Sequence, residues 1–390
     1  MPTTYSSPSH ARHSRASAGR ATRLPPAPAS TRWASAIPSS IRCSTARPRR
    51  RGRRSMQGQL HASTAGVLVD ESRDLRDAVL GRLRQASFDN AAGGTTSRAA
   101  RPVALAGTVP ETKTHSSRLT FWAQGLGARG RIDGDGNAAA VGRHHAGAVA
   151  GLDGAVDDWR FGFAAGYSDS AVGVDARASS ASVESGHAAF YGAGSAGAWS
   201  VRAGMAYSSH QIDTTRTIAF PGFVDRASAA YHGGTTQVFG EVGYGVGLGP
   251  VALEPFAGAA WVQARTSGFT EKGGVAALTG ARDREEAGFA TLGTRLATSV
   301  AVGGMTLAPR LSAAWQHVLG DVTPVTTLSF AGGSTAFEIA GAPLARDSAL
   351  LEAGADLYLN AQTTLGILYQ GQVARNAEDH AVRGRLAVRF

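Results

Sequence analysis

From residue 118 to residue 390 side-chain character alternates with a period of two, and no other feature constrains the fold as strongly. Phe161, Phe163, Ala165 and Tyr167 alternate with Arg160, Gly162, Ala164 and Gly166. Val251, Leu253, Pro255, Ala257, Ala259 and Trp261 stand opposite a face carrying Glu254. Leu307, Pro309, Leu311, Ala313 and Trp315 alternate with Arg310, Ser312 and Gln316. Val382, Gly384, Leu386, Val388 and Phe390 alternate with Arg383, Arg385 and Arg389. Successive residues of a strand point to opposite faces, so each segment shows one apolar or small face and one polar face. Twelve strands are predicted, at roughly 118–127, 141–155, 159–168, 181–194, 197–210, 232–247, 250–265, 284–300, 302–318, 346–359, 362–374 and 380–390.

Such alternation also suits a soluble sandwich, and the connections decide between the two. They run long (128–140), short (156–158), long (169–180), short (195–196), long (211–231), short (248–249), long (266–283), short (301), long (319–345), short (360–361) and moderate (375–379). Short turns at one end and long loops at the other are the plan of an outer-membrane barrel. Closure removes the sheet edges that lipid would leave without hydrogen bonds. The fold class is therefore all-β: a 12-stranded antiparallel transmembrane β-barrel over 118–390. Trp122, Trp159, Trp199, Trp261 and Trp315 lie in it, and their depths suit aromatic girdles at the two membrane interfaces.

Residues 69–86 are the one convincing helix. Leu75, Val79 and Leu83 recur at i, i+4 and i+8, while Asp70, Glu71, Asp74 and Asp77 precede Arg82 and Arg84. That order of charge complements the helix dipole. With Arg76 and Arg82 in its charged remainder, the helix suits a polar, water-lined enclosure. Twelve strands enclose more space than side chains fill, and a helix about 10–12 Å across suits it as a plug. Residues 57–117 are then a linker carrying a pore helix. Glu241, Glu254, Arg310, Arg383 and Arg385 are the candidates for lining the pore beside it.

Charge is concentrated elsewhere. The chain has 390 residues and a net charge of +10, but residues 1–60 hold twelve Arg and no acidic residue, leaving 27 basic and 29 acidic residues in the rest. The basic balance belongs to a tail, so no nucleic-acid partner is expected. Residues 1–56 have no apolar period and no apolar run after their arginines. They read as disordered, or as sequence translated out of frame, and not as a secretory signal. No stretch of 18 apolar residues exists, which excludes a helical membrane protein, and the single Cys43 excludes a disulfide framework.

The residues resemble a family. Glu71-Ser-Arg-Asp-Leu-Arg-Asp-Ala-Val-Leu-Gly-Arg-Leu83, Thr120-Phe-Trp-Ala-Gln-Gly125, Ile132-Asp-Gly-Asp-Gly-Asn137, Trp159-Arg-Phe-Gly-Phe-Ala-Ala-Gly-Tyr167, Ala314-Trp-Gln-His317, Phe337 with Gly341-Ala-Pro343, Tyr369-Gln-Gly-Gln372 and Arg383-Gly-Arg-Leu-Ala-Val-Arg-Phe390 occur in the order of the C-terminal translocator domain of type V autotransporters. Together they cover about three quarters of the chain. The helix wording and Gln59-Leu-His-Ala-Ser63 most resemble members with protease, lipase or adhesin passengers. The resemblance implies an integral outer-membrane barrel that exports and anchors an N-terminal passenger, with no enzyme activity of its own. It implies three partners: outer-membrane lipid, the barrel-assembly machinery and the chain's own passenger. A monomer is expected. The machinery would read Gly384, Leu386, Val388 and the terminal Phe390. Some members cut themselves inside the barrel at an Asn, but Asn90 follows the predicted helix and that reaction is not carried over. The sequence departs from the family in showing no signal peptide and no repetitive passenger before the helix.

Other motifs carry no chemistry. Asp133-Gly-Asp-Gly-Asn137 lacks the downstream bidentate Glu of a calcium loop and reads as a turn. Gly192-Ala-Gly-Ser-Ala-Gly197 has no helix after it to hold a dinucleotide. His144 and His145 point to opposite faces of one strand. No catalytic, cofactor or metal residues are assigned. A porin-like or adhesive barrel plugged by its own helix is the alternative, and an enzyme acting through the long loops is a third reading.

Overall fold

Each period-two segment folds as one strand. The computed structural model describes residues 58–92 and 119–390, with side chains over 58–87 and 119–390. The segment 1–56, read from sequence as disordered or out of frame, and linker residues 93–117 lie outside the described residues. The strands are β1 (Leu119–Ile132), β2 (Val141–Val156), β3 (Trp159–Val174), β4 (Ser179–Ala196), β5 (Trp199–Phe220), β6 (Phe223–Tyr244), β7 (Val251–Thr266), β8 (Asp283–Thr298), β9 (Met305–Leu319), β10 (Asp347–Tyr358), β11 (Thr363–Ala374) and β12 (Ala377–Arg389). Each pairs antiparallel with its sequence neighbour, and β1 pairs with β12 in the register Thr120↔Arg389 to Ile132↔Ala377. The sheet is a closed barrel of twelve strands.

The outer wall carries the large apolar side chains, among them Phe163, Phe190, Met205, Val238, Leu311 and Ile367, all more than half exposed to the surroundings. In a soluble protein such a continuous apolar belt would aggregate; here it is the surface lipid covers. The inner wall carries Arg, His, Gln, Ser and Thr. Turns at one end are tight, as at Gly303 and Gly304, whose φ of 56° and 80° only glycine adopts without strain.

The long-loop end differs from the sequence reading. Residues 211–231 are not a loop: β5 and β6 run on to Phe220 and from Phe223 around a two-residue turn. The loops expected at 169–180 and 375–379 likewise shorten to 175–178 and 375–376. The cause is an inversion of pattern. Within the membrane the outward residues are apolar. Beyond it Gln211, Asp213 and Thr215 point outward into water, while Ile212, Thr214, Arg216 and Ile218 turn inward and are buried. A strand that leaves lipid changes the polarity of both faces, which reads in sequence as the strand's end. The loops at 267–282 and 320–346 are long, and they contribute a four-stranded sheet of Phe337–Ala340, Val325–Phe330, Leu278–Gly280 and Phe269–Thr270.

One helix, α1 (Gln59–Ala92), threads the barrel. It starts ten residues before the predicted start and ends six residues after the predicted end, so residue 90 is helical in its backbone. The missed N-terminal part, Gln59 to Leu68, is buried all round. A segment wrapped on every side has no reason to be amphipathic, so its sequence shows no helical period.

Candidate functional site: the helix-filled lumen

The lumen can be followed from the long-loop end downward. Leu278 and Leu328 of the loop sheet close over Gly58. Gln59 exchanges two hydrogen bonds with the backbone of Ala139 in the first long loop, at 2.8 and 2.9 Å. His61 stacks on Phe269 at 4.1 Å and bonds Tyr231 Oη at 3.1 Å and Glu271 Oε1 at 2.9 Å. Arg216 holds the same carboxylate in a fork, at 2.7 and 2.6 Å. Burial pushes the Glu271 carboxyl up, but these donors outweigh it and hold its pKa down at about 2. Gly341 lies against the helix backbone: a Cβ there would stand 2.6 Å from Ser63 N. Ala342 N donates to Ser63 Oγ at 3.0 Å.

Below this cap the helix acids meet barrel bases. Arg143 reaches Asp70 at 2.5 Å and Asp379 at 2.6 Å. Arg383 reaches Asp74 at 2.6 Å and donates to the Asp74 carbonyl at 2.9 Å. His145 stands 3.6 Å from Glu71 and 3.5 Å from Asp74. Arg73 is the reverse case, 3.5 Å from Asp379.

Lower still the polarity reverses. Arg82 makes a forked pair with Asp153, which also pairs with Arg160. Arg84 pairs with Glu241 at 2.7 Å and stands 3.9 Å from Glu352. Glu241 also accepts from Arg202 and Arg295, at 3.0 Å each, and both arginines reach Glu254. Arg385 forks onto Asp356, and Arg310 stands 3.4 Å from it. Guanidinium–carboxylate forks of this kind fix geometry as well as charge.

These contacts place the sequence candidates. Glu241, Glu254, Arg310, Arg383 and Arg385 all have side chains inside the barrel, and Arg383, Arg385 and Glu241 touch α1 directly. Leu75, Val79 and Leu83 are buried in one cluster with Val149, Ala164, Val183, Ala189, Ala206 and Phe239. The enclosure is therefore not polar throughout: the stripe has an apolar strip of wall to lie on. Arg76 covers the Phe289 ring at 5.2 Å and donates to Gln237 at 3.1 Å. Gly384, Leu386, Val388 and Phe390 lie on the outer face of β12 and beyond its end, with Phe390 68% exposed.

The tryptophans divide. Trp159, Trp199, Trp261 and Trp315 face outward. Trp122 does not: it is 2% exposed, points into the lumen, and its Nε1 donates to Tyr191 Oη at 2.6 Å. Phe121 takes the outward place beside it, so alternation forces Trp122 inward and removes it from any girdle. His144 and His145 do point to opposite faces, the second into the lumen. Asp135 caps its own turn, accepting from Asn137 N and Ala138 N at 2.8 and 2.7 Å.

Sequence reasoning missed a band of hydrogen-bonded imidazole and hydroxyl groups on β3 to β6. His187 sits between Ser168 and Ser208, and His210 between Ser185 and Thr235, all at 2.7–2.8 Å. Their shared inward parity was the available signal. The helix leans on β2 to β8. Between the helix and β6 to β12 an irregular cavity of about 70 Å³ remains, lined among others by Arg383, Gln370 and Arg84.

A profile described as Autotransporter beta-domain matches residues 121–370. The chain belongs to the autotransporter beta-domain family. It is an integral outer-membrane barrel, a translocator of type V secretion. Two curated relatives, both extracellular serine proteases of Serratia marcescens, are 33% identical over 347 residues. The match takes in 89% of this chain and 31% of each relative. Among solved structures, the translocator domain of NalP from Neisseria meningitidis aligns with a TM-score of 0.58 at 15% identity, over 71% of this chain and 90% of that one. The beta domain of the Bordetella autotransporter BrkA aligns with a TM-score of 0.50 at 20% identity, over 70% of this chain and all of that one. At these identities the structures speak for the fold of the autotransporter barrel alone.

Proposed function

We propose that this barrel is the conduit through which the polypeptide N-terminal to α1 reaches the cell surface, and that α1 is the seal left when export ends. One observation carries the reading. The helix runs through the lumen with its N-terminal end under the long loops and its C-terminal end at the short turns. That is the path of a chain drawn outward from a barrel whose short turns face the periplasm. The exported segment, by analogy with the Serratia relatives, would carry the catalytic work. The barrel would carry none, since each lumen carboxylate of the lower set is committed to a guanidinium. Gly384, Leu386, Val388 and Phe390 would serve the assembly machinery, and the barrel would act as a monomer.

Bilayer conductance tests the reading. The intact chain should conduct near zero, and deletion of residues 58–92 should open a stable pore. High conductance from the intact chain would favour a porin-like barrel instead.

A further inference from the structure

The rim at the long-loop end carries its charge unevenly. On β3 to β5 the outward charged residues above Tyr167 are Asp169, Glu184 and Asp213, with no base among them. On β7, β8 and the loop between them the balance is reversed. Arg265, Lys272, Arg282 and Arg284 are exposed there against one exposed carboxylate, Glu286.

Two of these bases stand face to face. Trp261, Gln263 and Arg265 share the outward face of β7, and Arg284 of β8 pairs directly across from Arg265. Like charges so placed repel. Glu286 relieves one of them: Arg284 donates to a single Glu286 oxygen, from Nε at 2.8 Å and from Nη2, and Gln263 donates to the same oxygen. An ion pair this exposed contributes little. Arg265 has no carboxylate within bonding distance among the described residues. On its other side, across β6, stands Gly234, and the Tyr207 hydroxyl lies 2.8 Å from where a Cβ would be. The glycine leaves a gap beside Arg265 with a hydroxyl at its edge.

Height selects the ligand. Outward tryptophans of a barrel lie at the edge of the hydrocarbon. Arg265 is four residues past Trp261 toward the long loops, about 13 Å along a tilted strand. That is the level of lipid headgroups, and below it Trp261, Val238 and Met205 face outward. We propose that Arg265 and Arg284 bind a headgroup phosphate of an outer-leaflet glycolipid, with Tyr207 Oη as a further donor. Guanidinium forks match phosphate oxygens, and the bound phosphate removes the repulsion between the two strands. The acyl chains lie on the apolar wall beneath. The site anchors this sector of the barrel whether or not α1 is a seal.

Lipid retention tests it. Full-length chain is refolded in detergent and examined by native mass spectrometry. The probes are purified lipid A with two phosphates, the same lipid dephosphorylated, and inorganic phosphate. The native chain should keep one two-phosphate lipid per barrel and far less of the dephosphorylated form. Arg265→Gln with Arg284→Gln should weaken retention about twenty-five-fold, near fivefold for each arginine. Asp169→Asn with Glu184→Gln, in the acidic sector, should leave it unchanged. Equal retention by the glutamine pair, equal loss in the acidic-sector variant, or equal retention of the dephosphorylated lipid overturns the site. Displacement of the lipid by equimolar inorganic phosphate overturns it too, since lipid would then add nothing to a bare anion contact. If the glutamine pair does not refold, the dephosphorylated lipid decides.

Discussion

Arg82 on the pore helix and Asp153 on the second strand, 71 residues apart, form a forked ion pair at 2.7 and 2.8 Å with almost no exposure of either side chain. Asp153 also balances Arg160. One carboxylate therefore neutralises a cation from the helix and one from the wall, deep in a sealed lumen.

Removing it should be costly. Asp153→Ala removes the buried carboxylate that Arg82 and Arg160 share, and we expect a loss of about 3–5 kcal/mol in urea unfolding of the refolded barrel. Replacing Arg82 and Asp153 together by Met and Leu should cost less than the single change, because only Arg160 then loses a carboxylate partner. A double variant as unstable as Asp153→Ala would show that the pair acts through shape alone.

The cap should loosen in acid. The Glu271 carboxyl titrates near 2 when folded and near 4.5 when unfolded, so its contribution is fully present above about pH 4.5 and is lost as pH falls toward 2. Hydrogen exchange of the 269–280 amides should accelerate across that window. In Glu271→Gln the same amides should exchange faster at pH 7 and lose this pH dependence.

Lipid should find four tryptophans and miss one. In single-tryptophan variants, brominated acyl chains should quench Trp159, Trp199, Trp261 and Trp315 strongly and Trp122 little, since only Trp122 lies inside. Trp122→Phe should cost about 1–2 kcal/mol through the lost hydrogen bond to the Tyr191 hydroxyl.

The chain's last residue separates assembly from stability. The Phe390 ring is mostly exposed, and its backbone N–H bonds Leu119 O at 3.0 Å. Phe390→Ser should change the stability of the refolded barrel by under about 1 kcal/mol. It should nevertheless sharply lower the amount of folded barrel in cell membranes, measured by heat-dependent mobility on gels. Equal cellular yield would remove Phe390 from the assembly signal.

Much of the fold was legible because alternation and loop length are local. Period two with short and long connections by turns admits a closed, even-stranded barrel and little else. The inward parity of Glu241, Glu254, Arg310, Arg383 and Arg385 follows from the same count. Three readings failed for physical reasons. Trp122 was placed by residue type when parity already placed it inside. The β5–β6 extension was lost because a strand leaving lipid inverts its polarity. The first ten residues of α1 were lost because complete burial erases the helical period.

The sequence alone determined the strand number, the closure, the apolar outer wall and a helix too charged for an oily core, since each depends on residues close together in the chain. Only the tertiary structure decided which charge meets which. Arg82 with Asp153, Arg84 with Glu241, Asp74 with Arg383 and His61 with Glu271 join residues up to 309 apart. Their pairing depends on the height of the helix in the barrel, a single rigid-body coordinate that no local pattern encodes.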